Sequence, residues 1–443
     1  MTQVEQEHLP SGTTSTLRNT YKIMADHYKM YEDLFGEYGD TARLTALNGD
    51  IVATRNTEYI KEIFAHNPMD YDPFAADVTE PLTGKGSLFL IQGEKHKRER
   101  RLVMPCFQGR QMRAYGELMH NVALQRLKQD TNKNGILNTY DSMNELSMEV
   151  IIRAIFGIDD ESRIEEVRVA LKSIMDALHP AFLFNKSLQR SFMGLGPWAK
   201  FQRHMAVGEG LIYGEINAKR EQGYGDDILS LLLQAEDEDG YKFSDQTIRD
   251  HLFTLLAAGH ETTAIAMTWA MYHIHKNPEV LARLKEEVDE AFAQDMPLDQ
   301  IAKLPYLTGV WKETIRIYPI VPDVLRTLLE PMDLGPYRVG KGKVVSVAIS
   351  AVHHDPEIYD EPEKFKPERF IEKSYKPWEY MPFGGGHRRC VGAAFAGYEM
   401  SIVLATWIHE ADFELLDTEV KPKRRNLTIA PNTPVKVRVS TRK

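Results

Sequence analysis

The sequence predicts a mainly α-helical protein with a minor β portion, organised as one domain over residues 1–443. Three observations predict it. From about residue 94 to 317 amphipathic stretches alternate with short polar loops such as EDEDGYKFSD. One stretch, roughly 246–276, is apolar on most sides apart from a single polar cluster, the mark of a central buried helix about 45 Å long. Strand-like alternation is confined to about 41–55 and 320–352, and no repeat or low-complexity linker divides the chain.

Taken in order, a helix-like stretch covers about 17–36, and TARLTALNGDIVATRN then reads as a hairpin turning at Asn48-Gly49. The central helix stops at Asn277-Pro278, with His273, His275 and Lys276 where the helix dipole favours positive charge. LPYLTGVWKETIRIYP is a shorter helix opened by Pro305 and ended by Pro319. PYRVGKGKVVSVAISAV supplies β-like pieces, and a Pro-rich coil leads to the loop 381–392. Apolar or small residues at 395, 398, 402 and 405 then mark one face of a last helix over 391–409.

A formal charge of −10 and a pI near 5.9 exclude a general nucleic-acid binder. Cys106 and Cys390 are the two cysteines, too few for a disulfide framework, which points to a reducing cytoplasm. The first forty residues hold no apolar run long enough for a signal peptide or an anchor helix, so the expectation is a cytoplasmic protein without a transmembrane anchor.

Chemistry concentrates in MPFGGGHRRCVGAAFAGYEM. Cys390 is placed at a helix N-terminus, where unpaired N–H groups and the dipole stabilise a thiolate. Gly384, Gly385 and Gly386 let the preceding backbone take positive φ and pass close to something flat or bulky. Such a cysteine is a nucleophile, a metal ligand, or an inert core residue. The surrounding pattern Phe383-x-x-Gly386-x-Arg388-x-Cys390-x-Gly392 resembles the haem-binding signature of the cytochrome P-450 monooxygenases. That resemblance implies a cytochrome P-450 fold, with haem b (iron protoporphyrin IX) between the central helix and the cysteine helix. It makes Cys390 the axial thiolate of the iron, Phe383 a neighbour of the sulfur, and Arg388 a partner of a haem propionate.

Three further motifs follow the family's order, from about residue 90 to the end. Ala258-Gly259-His260-Glu261-Thr262-Thr263 sets polar side chains in an apolar helix, which is costly unless they are partnered. A structural reading bonds Thr262 to the carbonyl of Ala258. The resemblance adds that Thr262 donates to the oxygen being activated, that Glu261 relays protons from solvent, and that Ala258 and Gly259 open a groove over the macrocycle. Glu313-x-x-Arg316 would be surface decoration by itself. With Arg369 of FKPERF, the resemblance implies a buried triad locking the loop that leads to Cys390. In GEKHKRERRLVMPCF, Lys95 to Arg101 include five Lys/Arg against one Glu, ordinarily a solvated face. In the family this helix carries a tryptophan and an arginine four residues apart that bind propionates. Here His96 stands in the tryptophan's place with Arg100 on the same face, and Arg326 is a third propionate candidate.

The function implied is insertion of one oxygen atom into a small apolar substrate, a fatty acid or terpenoid, by hydroxylation or epoxidation. Electrons would come from a separate ferredoxin or flavodoxin with its reductase, docking by charge at Lys95, Lys97, Arg98 and Arg101. The rivals are a peroxide-driven peroxygenase, which by resemblance lacks the acid–alcohol pair, and a non-catalytic haem-based ligand carrier or sensor. The pocket is expected from 70–90, 179–206 and Val321–Leu325, with Asp323 either in its wall or turned away to cap a turn. Cys106 reads as core. His353-His354 lacks a carboxylate at ligand spacing for a second metal site.

Overall fold

The structure, a computed structural model, describes residues 7–442 apart from 48, 74–75, 132–134, 179–181, 183–185, 192 and 426. Asn48 of the expected turn therefore lies outside the described residues, as do parts of the expected pocket stretches 70–90 and 179–206. The mainly helical architecture with small sheets is as expected.

The central helix is Asp245–Lys276. Ser244 caps it by accepting from the Thr247 N–H, and Asn277 ends it by donating back to the His273 carbonyl. Pro278 then opens Pro278–Ala293. Thr263 through Ile274 are all buried, so this half of the helix runs through the main core. Around it pack Thr139–Phe156, Pro197–Gln222, Pro305–Ile317 and Ala393–Glu410. Trp269 stacks on Tyr318 with centroids 3.9 Å apart, filling volume where the central helix meets the end of Pro305–Ile317.

The largest sheet explains how distant segments meet. Thr41–Ala46 and Gly49–Thr54 form the expected antiparallel hairpin, and Val344–Val347 joins parallel to its second strand. Val324–Leu328 pairs antiparallel with Val344–Val347, and Tyr71–Pro73 forms one edge, with Arg326 opposite Pro73.

Several expectations are corrected. The stretch 17–36 is two helices, Thr16–Ala25 and His27–Tyr38, broken at Asp26, whose extended backbone frees its carboxylate to cap the second by accepting from Lys29 N–H. Ile349–His353 is a helical turn rather than strand. Ala411–Leu415, Pro422–Arg425, Thr428–Pro431 and Lys436–Thr441 are strands absent from the sequence expectation, although Val437 and Val439 alternate with Lys436 and Arg438. At the end of the central helix His273 and His275 are not cations. Burial lowers their pKa values to about 3 and about 4, leaving Lys276 as the charge there.

Candidate active site

The cysteine loop folds back on itself: Cys390 N–H donates to the Phe383 carbonyl at 2.9 Å. Gly384 and Gly386 take φ +66° and +62°, as the triplet predicts. The flat group that the triplet passes is the Phe64 side chain. A Cβ at Gly385 would lie 2.4 Å from the Phe64 ring, and one at Gly386 would lie 2.3 Å from the Phe64 carbonyl oxygen. The glycines thus dock the loop on helix Thr57–Ala65. The last helix begins at Ala393, three residues after Cys390, so the thiol stands before the helix rather than in its first turn. Its pKa is raised by burial, opposed by a backbone N–H bond from Gly392 and by Arg100 and Arg389. The helix dipole does not by itself make a thiolate here; a bound cation would. The residue nonetheless presents accessible surface, while Cys106 is 1% exposed and its thiol is pushed up to about 12 by burial. Cys106 is core.

A second opening lies on the central helix. Ala258 is exposed and Thr254, Leu255, Ala257, Gly259, Glu261 and Thr262 are partly so, an opening about two turns long just before the buried half of the helix. Gly259 serves packing, since a Cβ there would already touch Ile151 at 3.4 Å; the accessible groove belongs to Ala258. Thr262 donates its hydroxyl to the Ala258 carbonyl at 2.8 Å. Its oxygen is therefore left as an acceptor on the accessible side, and donation requires that bond to break. Glu261 is reached by the Tyr140 hydroxyl at 3.4 Å and by Arg425 Nε at 3.5 Å, and Arg425 lies over the Tyr140 ring. Arg425, from the hairpin beyond the last helix, is a partner that local spacing does not reveal.

Four propionate candidates from three distant segments converge. His96 is 4% exposed, and its pKa is lowered to about 3 by burial, then by Arg388, Arg100, His387 and Arg326. It is a neutral N–H donor rather than a further cation. Arg388 is lowered to about 10 by burial, then by Arg326 and Arg100, with Asp72 opposing. These guanidiniums rest on neutral carbonyls: Arg100 on Arg389 at 2.6 Å, Arg326 on Leu325 at 2.9 Å, and Arg388 on Leu88, Phe89 and Ile91. Carbonyls orient cations without neutralising them, so an anionic group fits this cluster. His387 lies within the same signature and lines the same cleft as Arg326 and Arg388, which sequence reasoning missed. Of the expected docking residues, Lys95 and Lys97 lie near Glu99 and Glu94, while Arg98 lies 3.3 Å from Asp237 and over the Tyr241 ring.

The triad residues meet as expected. Arg316 donates to both Glu313 oxygens at 2.7 and 2.9 Å, and Arg369 Nε donates to Oε1 at 2.9 Å. Lys366 N–H adds a bond at 3.0 Å. Glu313 and Arg316 are 0% exposed and Arg369 8%. His353 extends the network: Nδ1 lies 3.2 Å from the Arg316 carbonyl, and Nε2 accepts from Met381 N–H at 3.0 Å. It therefore ties the triad helix to the first residue of the cysteine loop, and burial holds its pKa well down. Among the described residues no cluster could hold a separate metal ion. The His353-His354 pair was the available signal for this role.

Asp323 turns away from the expected pocket. It accepts from the Tyr31 hydroxyl at 2.9 Å and lies 3.1 Å from His27 Nε2. Its neighbour Val321 is 41% exposed, and of the 179–206 stretch Met193 and Leu195 are 87% and 69% exposed.

Glu399, on the last helix, is fully buried with neither carboxyl oxygen hydrogen-bonded, and burial pushes its carboxyl from about 4.5 up to about 8, with nearby Ser147 opposing. A raised carboxyl contributes stability that is complete below about pH 4.5 and is lost as pH rises through about 8. Thermal unfolding should show wild type losing stability relative to Glu399→Gln between pH 5 and 8.5, by a few kcal/mol at about 1.4 per pKa unit. Equal pH dependence in the two proteins would refute the assignment.

An accessible thiol, a groove on the central helix and a cluster of cations held on main-chain carbonyls fit a planar iron group that carries carboxylates. Comparison with known proteins agrees. The family model described as Cytochrome P-450 matches residues 16–439. A Mycobacterium tuberculosis protein named cytochrome P-450 135B1 is 31% identical over 398 residues, covering 88% of this chain and 82% of its own. Another from that organism, named cytochrome P-450 138, is 32% identical over 375 residues, covering 83% and 80%. The solved structure of a retinoic acid-bound cyanobacterial CYP120A1 superposes with a TM-score of 0.85 at 22% identity, covering 99% of this chain and 100% of that one, which speaks to the fold. The chain belongs to the cytochrome P-450 family, and it is a haem-dependent monooxygenase that takes a substrate and electrons from a redox partner.

Proposed function

We propose that this enzyme hydroxylates or epoxidises an apolar substrate, a fatty acid or terpenoid, in the cytoplasm, as one catalytic domain. Haem b would be held by Cys390 at the iron and by Arg100, Arg326, Arg388 and His96 at its carboxylates. When bound, it supplies dioxygen activation at a thiolate-ligated iron. The observation that carries this reading is the convergence of those four side chains beside the cysteine loop.

The remaining roles belong to the chain. The Phe383 carbonyl anchors the Cys390 amide, and its ring would pack near the sulfur. Thr262 Oγ1, held by Ala258, accepts a hydrogen bond in the groove and so orients water or the reacting oxygen. Glu261 carries protons inward from the half-exposed Arg425 side. The acid–alcohol pair favours monooxygenation over peroxide-driven turnover or simple ligand carriage. The apolar exposed surface at Val321, Met193 and Leu195 supports an apolar substrate. A ferredoxin or flavodoxin, with its reductase, is the proposed electron donor, meeting exposed Arg101 on helix Gly93–Val103 and exposed Arg389 in the cysteine loop.

Thr262→Ala tests the reading. Product formation should fall by about 10²-fold, in the range of lost acid–base catalysis, while oxygen and electrons are still consumed and appear as hydrogen peroxide. Unchanged product per oxygen would remove Thr262 from the mechanism. Titrating fatty acids and terpenoids against the Soret band identifies the substrate class.

A further inference from the structure

The stretch 84–91 is a strap tied to the central helix on one side and to the cysteine loop on the other. Gly84 has φ +81°, and a Cβ there would lie 2.0 Å from Asp250 Oδ1. Gly86 N–H donates to Asp250 Oδ2 at 2.8 Å, and Leu88 N–H donates to His251 Nδ1 at 3.2 Å. Asp250 and His251 are 1% and 2% exposed. Arg249 braces Asp250 from the other side, Nη1 to Oδ1 at 2.7 Å, and also bonds Glu209 on Pro197–Gln222. Because His251 Nδ1 accepts, its proton sits on Nε2, which lies 3.0 Å from Glu99 Oε2. Tyr241 donates to the other Glu99 oxygen at 2.9 Å. Glu99 shares helix Gly93–Val103 with His96 and Arg100.

On its far side the strap holds Arg388. The Leu88 and Phe89 carbonyls accept from Nη1 at 3.3 and 3.1 Å, and the Ile91 carbonyl accepts from Nη2 at 2.5 Å. A guanidinium is a rigid planar fork, so its aim at an anion is only as good as the hold on its plane.

We propose that Asp250 and His251 are positioning residues for the prosthetic group. They hold the strap in the register at which its carbonyls aim Arg388 at the haem carboxylates. Neither touches the group; both act through main-chain atoms of 86–91. This rests on the haem-thiolate reading above.

The test uses purified holoprotein with two readouts: haem transfer to excess apomyoglobin, and amide exchange of the peptide spanning 84–91. Asp250→Ala should speed both by about tenfold, the loss of one charge-assisted bond, while the carbon monoxide spectrum stays that of a thiolate. Gly84→Ala, which leaves the central helix intact, should reproduce the effect. In an Arg388→Ala background, Asp250→Ala should add less than about twofold to haem loss, because the two act in series. Faster exchange with unchanged haem loss, or effects that multiply, would overturn the proposal. Strap exchange indifferent to Asp250→Ala overturns the clamp alone, whereas a wild type lacking the thiolate spectrum overturns the haem reading beneath it.

Discussion

Cys390→Ser is expected to reduce monooxygenase turnover to background and to remove the red-shifted carbon monoxide band of a thiolate-ligated haem, with the fold left standing. The loop conformation is held by the Cys390 amide on Phe383, by Met381 on His353 and by the glycine contacts with Phe64. None of these uses the sulfur, and serine preserves all of them. The side chain presents accessible surface, so the unfolding free energy of the apoprotein should stay within about 0.5 kcal/mol, as for substitutions outside the core. What changes is the ligand: an alcohol is a harder donor that stays protonated and does not push electron density toward the oxygen being cleaved. Cys106 cannot substitute, being buried and inert. A variant retaining the thiolate spectrum would mean that another sulfur binds the iron.

Glu313→Ala is expected to be the most damaging change to the protein itself. The carboxylate is shared by Arg316, Arg369 and the Lys366 amide, and Glu313 and both arginines are buried. Removing it leaves two guanidiniums buried without a counter-charge, a loss of about 3–5 kcal/mol. Against a total stability of about 5–15 kcal/mol, that is enough to deplete the native state at growth temperature. Because His353 connects the same network to Met381, the damage runs into the cysteine loop. Expression should give little haem-containing protein, read from the ratio of Soret to protein absorbance. Glu313→Gln keeps an acceptor and should fall between alanine and wild type. A Glu313→Ala protein with full haem content and an unshifted melting temperature would show that the triad does not lock the loop.

The triad and the cysteine signature were legible because each motif is short and its members are separated by helical or loop spacing. The partners that give those residues their character were not. Glu261 gains Arg425 and Tyr140 from other elements, and His353 becomes a bridge only once Met381 is folded beside it. Asp323 could line a pocket or leave it, and the choice went to Tyr31 and His27 on the second helix.

By itself the sequence determined the mainly helical class and the ends of the central helix, and it singled out Cys390 as the cysteine we propose for the thiol ligand. These are set by neighbours along the chain: caps, prolines, periodicity and a compact motif. Only the tertiary structure decided that His96, His273 and His275 are neutral, that the glycine triplet meets Phe64, and that three arginines gather in one place. Burial and long-range pairing control those outcomes. Desolvation depends on everything packed around a group, and strand register brings together residues whose separation along the chain carries no sign of their proximity.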